Sequence, residues 1–510
     1  MIFPKKILYL FILLEGAGVM CIELASVKMI APWCGETLYV WTCVIGISIL
    51  SLAGGYFIGG YMAEKHNPPL LQMVFVPAIV FLILPMVTKE FFRLAESDNF
   101  ILLAVISSLI IIPLPVVFLA AIPPVAIKIL SANENESGNS TGKVYALSTA
   151  GGIFSALLTG FFLLPDLGIS KCLFLAGMIS GLLPLFLFRK KTLPVIIFLI
   201  SIMLSGSGIL KKQLKGSVRI LHYSEGMPGQ NLVADVTFPS GKVQRFYYIN
   251  RMGQTTINPE TGRSLWSYPD YVTAVAGIFP EKSNVLLLGL GGGTIANYLE
   301  NYLDMKVTAV EIDPRADEIA KRFFGLSKNT RVIIDDARHY LQTSDSRYDI
   351  ILFDVFRDVI PEYVMSREAF LSAMSLLNPG GIIMVNFNGF LTGDIGKAGR
   401  LLFSTMKSCG MTVEILPTFE EEEKFRNNIF IGVTAPVDFS KTRTPLNRNG
   451  IPVPINDLLL KEVPSPGTAV ITDDLPCLDL SNYLASSVWR SEYIRGHTSL
   501  LSQNGIPLFR

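Results

Sequence analysis

A multi-pass α-helical membrane domain followed by an α/β Rossmann-like domain with a small amino-terminal β-subdomain is the fold that this sequence predicts. Three observations carry it. Over the first ~210 of 510 residues, apolar runs long enough to cross a bilayer follow one another. From Ser217 the pattern changes to short alternating runs broken by Gly and Pro. Finally, Val285 to Asp313 strings together an apolar strand, the glycine turn Gly289-Leu290-Gly291-Gly292-Gly293, a helical segment and a second strand ending at Glu311, the layout of a βαβ unit that holds a nucleoside. The boundaries expected are 1–212 for the helical bundle, 217–258 for the small sheet, 259–436 for the Rossmann-like domain and 437–510 for an irregular extension.

The composition narrows the function. With 43 Lys and Arg against 42 Asp and Glu the net charge is +1, and the basic residues are spread out, so no stripe is available to displace counterions from a nucleic acid. The six cysteines lie far apart without a CxxC pair, and the four histidines are scattered. Neither a metal site nor a disulfide framework is expected.

Apolar runs near 7–31, 38–62, 70–88, 100–124, 143–165, 169–188 and 192–210 give about seven spans. The first lacks a small-residue cleavage pattern and is followed by further spans, so it reads as an anchor that is retained. Gly54-Gly55, Gly59-Gly60, Gly151-Gly152 and Gly160 mark close helix approach. Pro113, Pro115, Pro123 and Pro124 are expected to break up the fourth span. Glu15 and Glu23 fall inside the first, with Lys28 shortly after; they read either as a functional charge, for instance one holding a cationic amine, or as a Glu23–Lys28 pair near the interface. Loop charges at Lys5, Lys6, Lys65, Lys128, Lys143 and 189–191 place the amino terminus inside, whereas Lys211, Lys212 and Lys215 ask for the cytoplasm themselves. A nucleoside ligand is cytoplasmic, which favours the second domain inside an integral, multi-pass cell membrane protein.

Past the helices, Val218–Tyr223, Leu232–Thr237 and Val243–Ile249 read as antiparallel strands, with Pro239-Ser240-Gly241 as a hairpin turn. Ser264 to Ile278 reads as a helix carrying Tyr268 and Tyr271 towards the glycine turn. In that turn Gly289, Gly291 and Gly293 let the backbone bend tightly and approach a ligand, and a helix beginning near Thr294 presents free amides. Glu311 stands about 20 residues further on, where a carboxylate accepts both ribose hydroxyls. Asp335-Asp336-Ala337 ends a third strand, where Asp336 can accept from an adenine amino group, cap the next helix, or do both. A fourth strand, Tyr348–Phe353, runs into Asp354, a carboxylate placed to orient and deprotonate an amine or to cap the strand end; Asp358 lies one turn of loop beyond.

On these residues the second half resembles the spermidine synthases, the polyamine aminopropyltransferase family, and the whole chain resembles their membrane-fused homologues. The motifs are Tyr248-Ile249-Asn250-Arg251-Met252-Gly253-Gln254-Thr255, the Leu288–Thr294 glycine turn, Val310-Glu311-Ile312-Asp313 and Asp335-Asp336-Ala337, over roughly Leu221 to Pro436. Ile360-Pro361, Ser366–Phe370 and Thr472-Asp473-Asp474 look like the membrane-fused group. The resemblance implies a methyltransferase/spermidine-synthase type of Rossmann-like fold. Gln254 and Glu311 would hold the ribose and thioether end of decarboxylated S-adenosylmethionine, Asp336 with Ala337 the adenine, and Asp354 would be the catalytic acid, with Tyr268 helping it to place the amine. The donor is then a co-substrate, with no prosthetic group. The implied partner is a small amine or polyamine such as putrescine, alongside membrane lipid, and a homodimer is compatible with it.

This sequence departs from the soluble synthases at Gly292, where they carry an acid that repels the carboxylate of ordinary S-adenosylmethionine. Arg357 stands where a second acid of an Asp-x-x-Asp pattern is expected, and Val385-Asn386-Phe387-Asn388-Gly389 lacks the Gln/Glu pattern expected around a diamine. An S-adenosylmethionine-dependent methyltransferase is therefore a second reading, and a transporter or sensor that binds adenosyl ligands or polyamines without turnover a third. Dinucleotide binding is weaker, because the glycine spacing does not continue. Glu420–Glu423 reads as a solvated loop, Asp438–Pro466 as an irregular surface segment, and Leu478–Arg495 as one or two short amphipathic helices.

Overall fold

The computed structural model describes residues 4–488 other than 66–67, 96–99, 132–136, 188–191, 210–217, 227–228, 239, 356–360, 421–425, 443–454, 462–468, 479–480, 483–484 and 487. The chain forms two compact units, one built from the amino-terminal helices together with Ser224–Gln230 and one from the remainder of two sheets and their helices.

The helical unit comprises α1 (Lys5–Cys34), α2 (Leu38–Ala63), α3 (Leu70–Leu94), α4 (Phe100–Ile111), α5 (Pro113–Ala120), α6 (Ile122–Leu130), α7 (Ser137–Leu158), a π-helical stretch (Thr159–Leu167), α8 (Gly168–Leu187) and α9 (Thr192–Ile209). Prolines do divide the expected fourth span, into α4, α5 and α6, with Pro113 and Pro123 in the first turns of the new helices where a missing N–H costs nothing. Among the described residues, five stretches are long and apolar enough to cross a membrane, the last running from Ser137 to Leu187. At 51 residues that stretch is too long for one straight crossing of ~30 Å, and it changes character at Pro165 and Gly168, the latter at φ +78°.

Glycines set how closely these helices meet. A Cβ on Gly151 would lie 2.2 Å from the carbonyl oxygen of Leu13, and one on Gly59 would lie 2.5 Å from that of Ala121. Gly55 and Gly16 are as crowded, whereas Gly54, Gly60 and Gly160 face open space. Only one residue of each Gly-Gly pair at 54–55 and 59–60 therefore serves helix approach. The expected Glu23–Lys28 pair is corrected: Lys28 Nζ donates to Glu36 at 2.6 and 2.8 Å. Five residues turn a helix by ~140° from alignment, so positions 23 and 28 face apart. Glu15 is buried and accepts from Ser148 Oγ at 2.6 Å.

In the second unit, apart from Ser224–Gln230, a small sheet of order β1-β2-β3-β4 comprises β1 (Val218–Gly226), β2 (Gly229–Thr237), β3 (Val243–Ile249) and β4 (Met252–Ile257). The fourth strand was not expected, because Gly253 and the polar run Gln254-Thr255-Thr256 lack strand alternation. Pairing with β3 supplies what local pattern does not, with a register shift at Tyr247/Tyr248. Val233, Tyr247, Ile249 and Ile257 from this sheet pack on Ile319 and Phe324 at the end of α12 (Pro314–Phe323).

The larger sheet holds β5 (Asn284–Leu288), β6 (Lys306–Glu311), β7 (Arg331–Ile334), β8 (Tyr348–Phe353), β9 (Leu377–Asn388), β10 (Thr412–Pro417) and β11 (Asn427–Val433), in the order β10-β11-β9-β8-β5-β6-β7. Pairs from β7 to β9 are parallel, and β11 is antiparallel to both of its neighbours. Central strands buried on both faces need continuous apolar runs, which Val285–Leu288 and Ile350–Phe353 supply. Along β9, Ile383, Val385 and Phe387 enter one core with α13 (Ala337–Thr343), α14 (Arg367–Ser375) and α15 (Lys397–Ser408). Ile382 and Met384 enter the other, with α10 (Tyr268–Ala276) and α11 (Thr294–Leu303). The sheet is thus wound on both sides.

One expectation shifts here. The helix expected from Ser264 starts at Tyr268, with Pro269 in its first turn, and Ser264 instead bridges Ile257. Tyr271 is buried in the core, in the same apolar cluster as Leu290 of the glycine turn. The segment 437–510 contains a 3-10 turn at Phe439–Lys441 and a short helix, α16 (Ile455–Leu458), among its described residues. Asp358, Arg357, Glu421–Glu423 and the basic residues Lys211, Lys212 and Lys215 lie outside the described residues, as does most of the tail.

Candidate active site

The chain runs β5, β6, β7 in one direction across the sheet and then returns to place β8 and β9 on the other side of β5. Such a reversal opens a crevice beyond the carboxyl ends of β5 and its neighbours. Most of the sequence-predicted site residues arrive there. Gly289 leaves β5, Glu311 ends β6, Asp354 follows β8, and Asp336 and Ala337 follow β7.

The glycine turn is fixed by backbone bonds to both flanking strands. Gly289 N–H donates to the Val310 carbonyl and Asp354 N–H to that of Leu288, each at 2.8 Å. Gly289, Gly291 and Gly293 sit at φ +90°, +54° and +78°, and a Cβ at 289 would meet the Asp354 carbonyl at 2.2 Å. At this position both conformation and space demand glycine. Gly293 caps α11.

Glu311 holds the turn from the other side. Its Oε2 accepts from Leu290 N–H and its Oε1 from Asp313 N–H, both at 2.9 Å. Asp313 is buried and caps α12, taking bonds from Arg315 and, at 3.1 Å, from Asn231 Nδ2 of the small sheet. Burial pushes the Asp313 carboxyl up, but the Arg315 and Asn231 contacts outweigh it and leave the pKa below the ordinary carboxylate value.

Gln254 lies on β4, half-buried, and its amide makes only long contacts to the carbonyls of Met252 and Gly253, at 3.4 and 3.3 Å. Its neighbour Thr255 is a contact that sequence reasoning missed. The Thr255 hydroxyl accepts from Gly292 N–H at 2.9 Å and donates to the Gln254 carbonyl at 2.7 Å. A Cβ at Gly292 would lie 2.7–2.8 Å from the Thr255 side chain, so any side chain at this place requires Thr255 to shift. Asp336 is exposed and accepts from His339 N–H at 3.0 Å, the helix-cap geometry. His339 itself binds Asp335.

Asp354 has two different oxygens. Oδ1 accepts from Asn386 Nδ2 at 2.7 Å, while Oδ2 faces the Tyr268 hydroxyl at 3.5 Å, the outer limit of a hydrogen bond. The Asp354 pKa is raised to about 6: burial pushes it up most, the bonds from Asn386 and Tyr268 pull it part of the way back, and the nearby charge of Glu311 adds to the rise. Burial, together with Asp354, holds the Tyr268 phenol well above its ordinary value, so it acts as a donor. Asn386 and its partner Asn427, 2.9 Å away, were missed by sequence reasoning. The available signal was four asparagines near strand ends, at 386, 388, 427 and 428, on two strands that pair only in the fold.

Residues far along the chain close the α13–α14 side. Asp473 Oδ2 pairs with Arg338 at 2.6 Å, its Oδ1 accepts from the cap residue Ser366 at 2.6 Å, and its N–H donates to Glu368. Arg367 N–H also donates to the Ile471 carbonyl. The motif segments 366–370 and 472–474 thus meet in space. The acidic run expected to be a solvated loop is anchored at its first residue: Glu420 accepts from Ser267 Oγ, beside the start of α10. A cavity of about 420 Å³ lined by Arg347, Leu377 and Thr434 lies at the opposite, amino-terminal end of β8 and takes no part in this crevice.

A doubly wound sheet with a carboxylate and a phenol at its switch point defines the class, an α/β domain built to bind at its strand ends. Within it, residues 266–423 match the spermine/spermidine synthase domain. A probable polyamine aminopropyl transferase of Bifidobacterium longum is 34% identical over 143 residues, 28% of this chain and 32% of that protein. Polyamine aminopropyltransferase 2 of Aquifex aeolicus is 24% identical over 439 residues, 79% of this chain and 83% of that one. An eEF1A lysine and N-terminal methyltransferase homologue of Drosophila pseudoobscura pseudoobscura is 32% identical over 118 residues, 21% of this chain and 18% of that one. The chain spans less than half the length of the first curated relatives that it matches. Residues 266–423 are thus similar to the spermine/spermidine synthase domain, and the same chain carries a region of long apolar helices among its described residues.

Proposed function

We propose that this chain is an aminopropyltransferase that moves the aminopropyl group of decarboxylated S-adenosylmethionine to an amine such as putrescine, releasing methylthioadenosine. The observation that carries the reading is the Asp354–Tyr268 pair at the switch point, beside a glycine turn fixed by Glu311. An alkylamine with an unperturbed pKa of about 10.4 arrives protonated and must lose its proton to attack. Asp354 Oδ2 takes that proton, and Tyr268 orients the same oxygen. The amine nitrogen then attacks the carbon beside the sulfonium in line, the C–S bond breaks, and its electron pair stays on sulfur. Gln254 and Glu311 are assigned to the ribose and thioether end, and Asp336 with Ala337 to the adenine. The helical unit is assigned to the membrane on the strength of its five long apolar stretches, with the α/β unit on the cytoplasmic side where the donor is.

Gly292, packed against Thr255, favours a second reading. Without an acid in the turn, ordinary S-adenosylmethionine meets no repulsion there, and methyl transfer on the same scaffold becomes accessible. The test is to incubate the detergent-solubilised full chain and putrescine with either donor. Methylthioadenosine from the decarboxylated donor, lost in Asp354→Asn, supports the first reading. S-adenosylhomocysteine from the ordinary donor supports the second. Tight binding with neither product overturns both and leaves a binding or transport role.

A further inference from the structure

We infer that Asn386 and Asn427 form a positioning relay that fixes the Asp354 carboxyl and reserves its Oδ2 oxygen for the proton. The inference rests on the proton-accepting role proposed for Asp354. The parallel register of β8 and β9 pairs Phe353 with Val385, so the next residues, Asp354 and Asn386, emerge side by side. The antiparallel register of β11 sets Ile429 opposite Asn386, which leaves Asn427 as its diagonal neighbour on the same face.

The amide orientations then follow from chemistry. An ionised carboxylate only accepts, so Asn386 must turn its Nδ2 towards Asp354, at 2.7 Å. Its Oδ1 consequently points away and needs a donor, which Asn427 Nδ2 supplies at 2.9 Å. Asn386 is 4% exposed, so no bulk solvent competes for either bond. With Oδ1 occupied, the lone pairs of Oδ2 face Tyr268 and the crevice. Among the described residues, the titratable groups facing Asp354 are Tyr268 from α10 and Glu311 from β6; Asn386 is a neutral donor among its neighbours. Because Asn386 binds the ionised form, its loss weakens that form, whereas a residue that only filled space would leave the titration unmoved.

The test titrates the Asp354 carboxyl in the solubilised full chain by isotope-edited infrared spectroscopy, with the band assigned by its loss in Asp354→Asn. Asn386→Leu keeps the branched heavy-atom skeleton and removes the donor; its midpoint is expected to lie above that of the wild type, with a smaller rise in Asn427→Ala and no further rise in the double variant. In parallel, kcat for methylthioadenosine release is expected to fall about tenfold in Asn386→Leu while KM for the donor stays within about twofold. Unmoved midpoints in either folded single variant, or additive shifts in the double, would overturn the relay. A wild type that releases no methylthioadenosine would instead sink the proposed reaction, while the titration would still decide the relay.

Discussion

The two strand ends that flank β5 both carry a carboxylate, and they are held in opposite ways. At the end of β6, Glu311 accepts two backbone amides, one from the glycine turn and one from its own chain. At the end of β8, Asp354 receives only side-chain donors, one at 2.7 Å and one at 3.5 Å, and burial raises its pKa to about 6. Backbone amides cannot move away, so Glu311 is a fixed acceptor that shapes a binding site. Side chains can reorient and the raised pKa lies near physiological pH, which suits the change of protonation proposed for Asp354. In the proposed reaction, neighbouring positions in one crevice would thereby divide binding from chemistry.

That division predicts a graded series of losses. Asp354→Asn should show the largest effect, with methylthioadenosine release down about 10²- to 10⁴-fold and donor binding by calorimetry retained. A loss confined to donor affinity would erase the contrast between the two ends. Glu311→Gln should weaken donor binding by about ten- to a hundredfold, since a hydrogen-bonded charge at the turn is removed, with kcat on saturating donor much less affected. Tyr268→Phe should cost only a few-fold in kcat, because a 3.5 Å contact is a weak one in the free enzyme. A loss as large as that of Asp354→Asn would show that the phenol carries the proton instead.

The pH dependence sharpens the same contrast. As a base Asp354 must be ionised, so kcat should fall as pH drops through about 6. The stability effect runs the other way. A carboxyl whose folded pKa is raised binds its proton more tightly when folded, so ionisation costs folding energy above pH 6 and the cost vanishes below the unfolded value of about 3.9. Thermal denaturation should therefore find Asp354→Asn slightly more stable than the wild type at pH 7.5, with the gap closing as the pH is lowered towards 4. Equal gaps at both pH values would show that the carboxyl carries no burial penalty.

What was legible in the sequence is what local order encodes. The glycine turn, Glu311 and Asp354 each sit at the end of an apolar run, and the strand-ending pattern alone locates them. Pro113 and Pro123 announced their breaks because proline acts on its own backbone. Asn386, Asn427 and Thr255 were missed because each acts through a residue on another strand, and only the register brings them together. The Glu23–Lys28 pair failed for the converse reason: nearness in sequence suggested a contact that helix periodicity forbids. Gly54 and Gly55 look alike in the sequence, yet only Gly55 faces a neighbouring helix.

The bonds from Asp473 to Arg338 and Ser366 span 135 and 107 residues of chain. A nascent polypeptide that has already emerged through β9 still lacks the residue that ties α13, next to Asp336, to the start of α14. That flank of the crevice can therefore be tied together only once the chain has been made as far as Asp473.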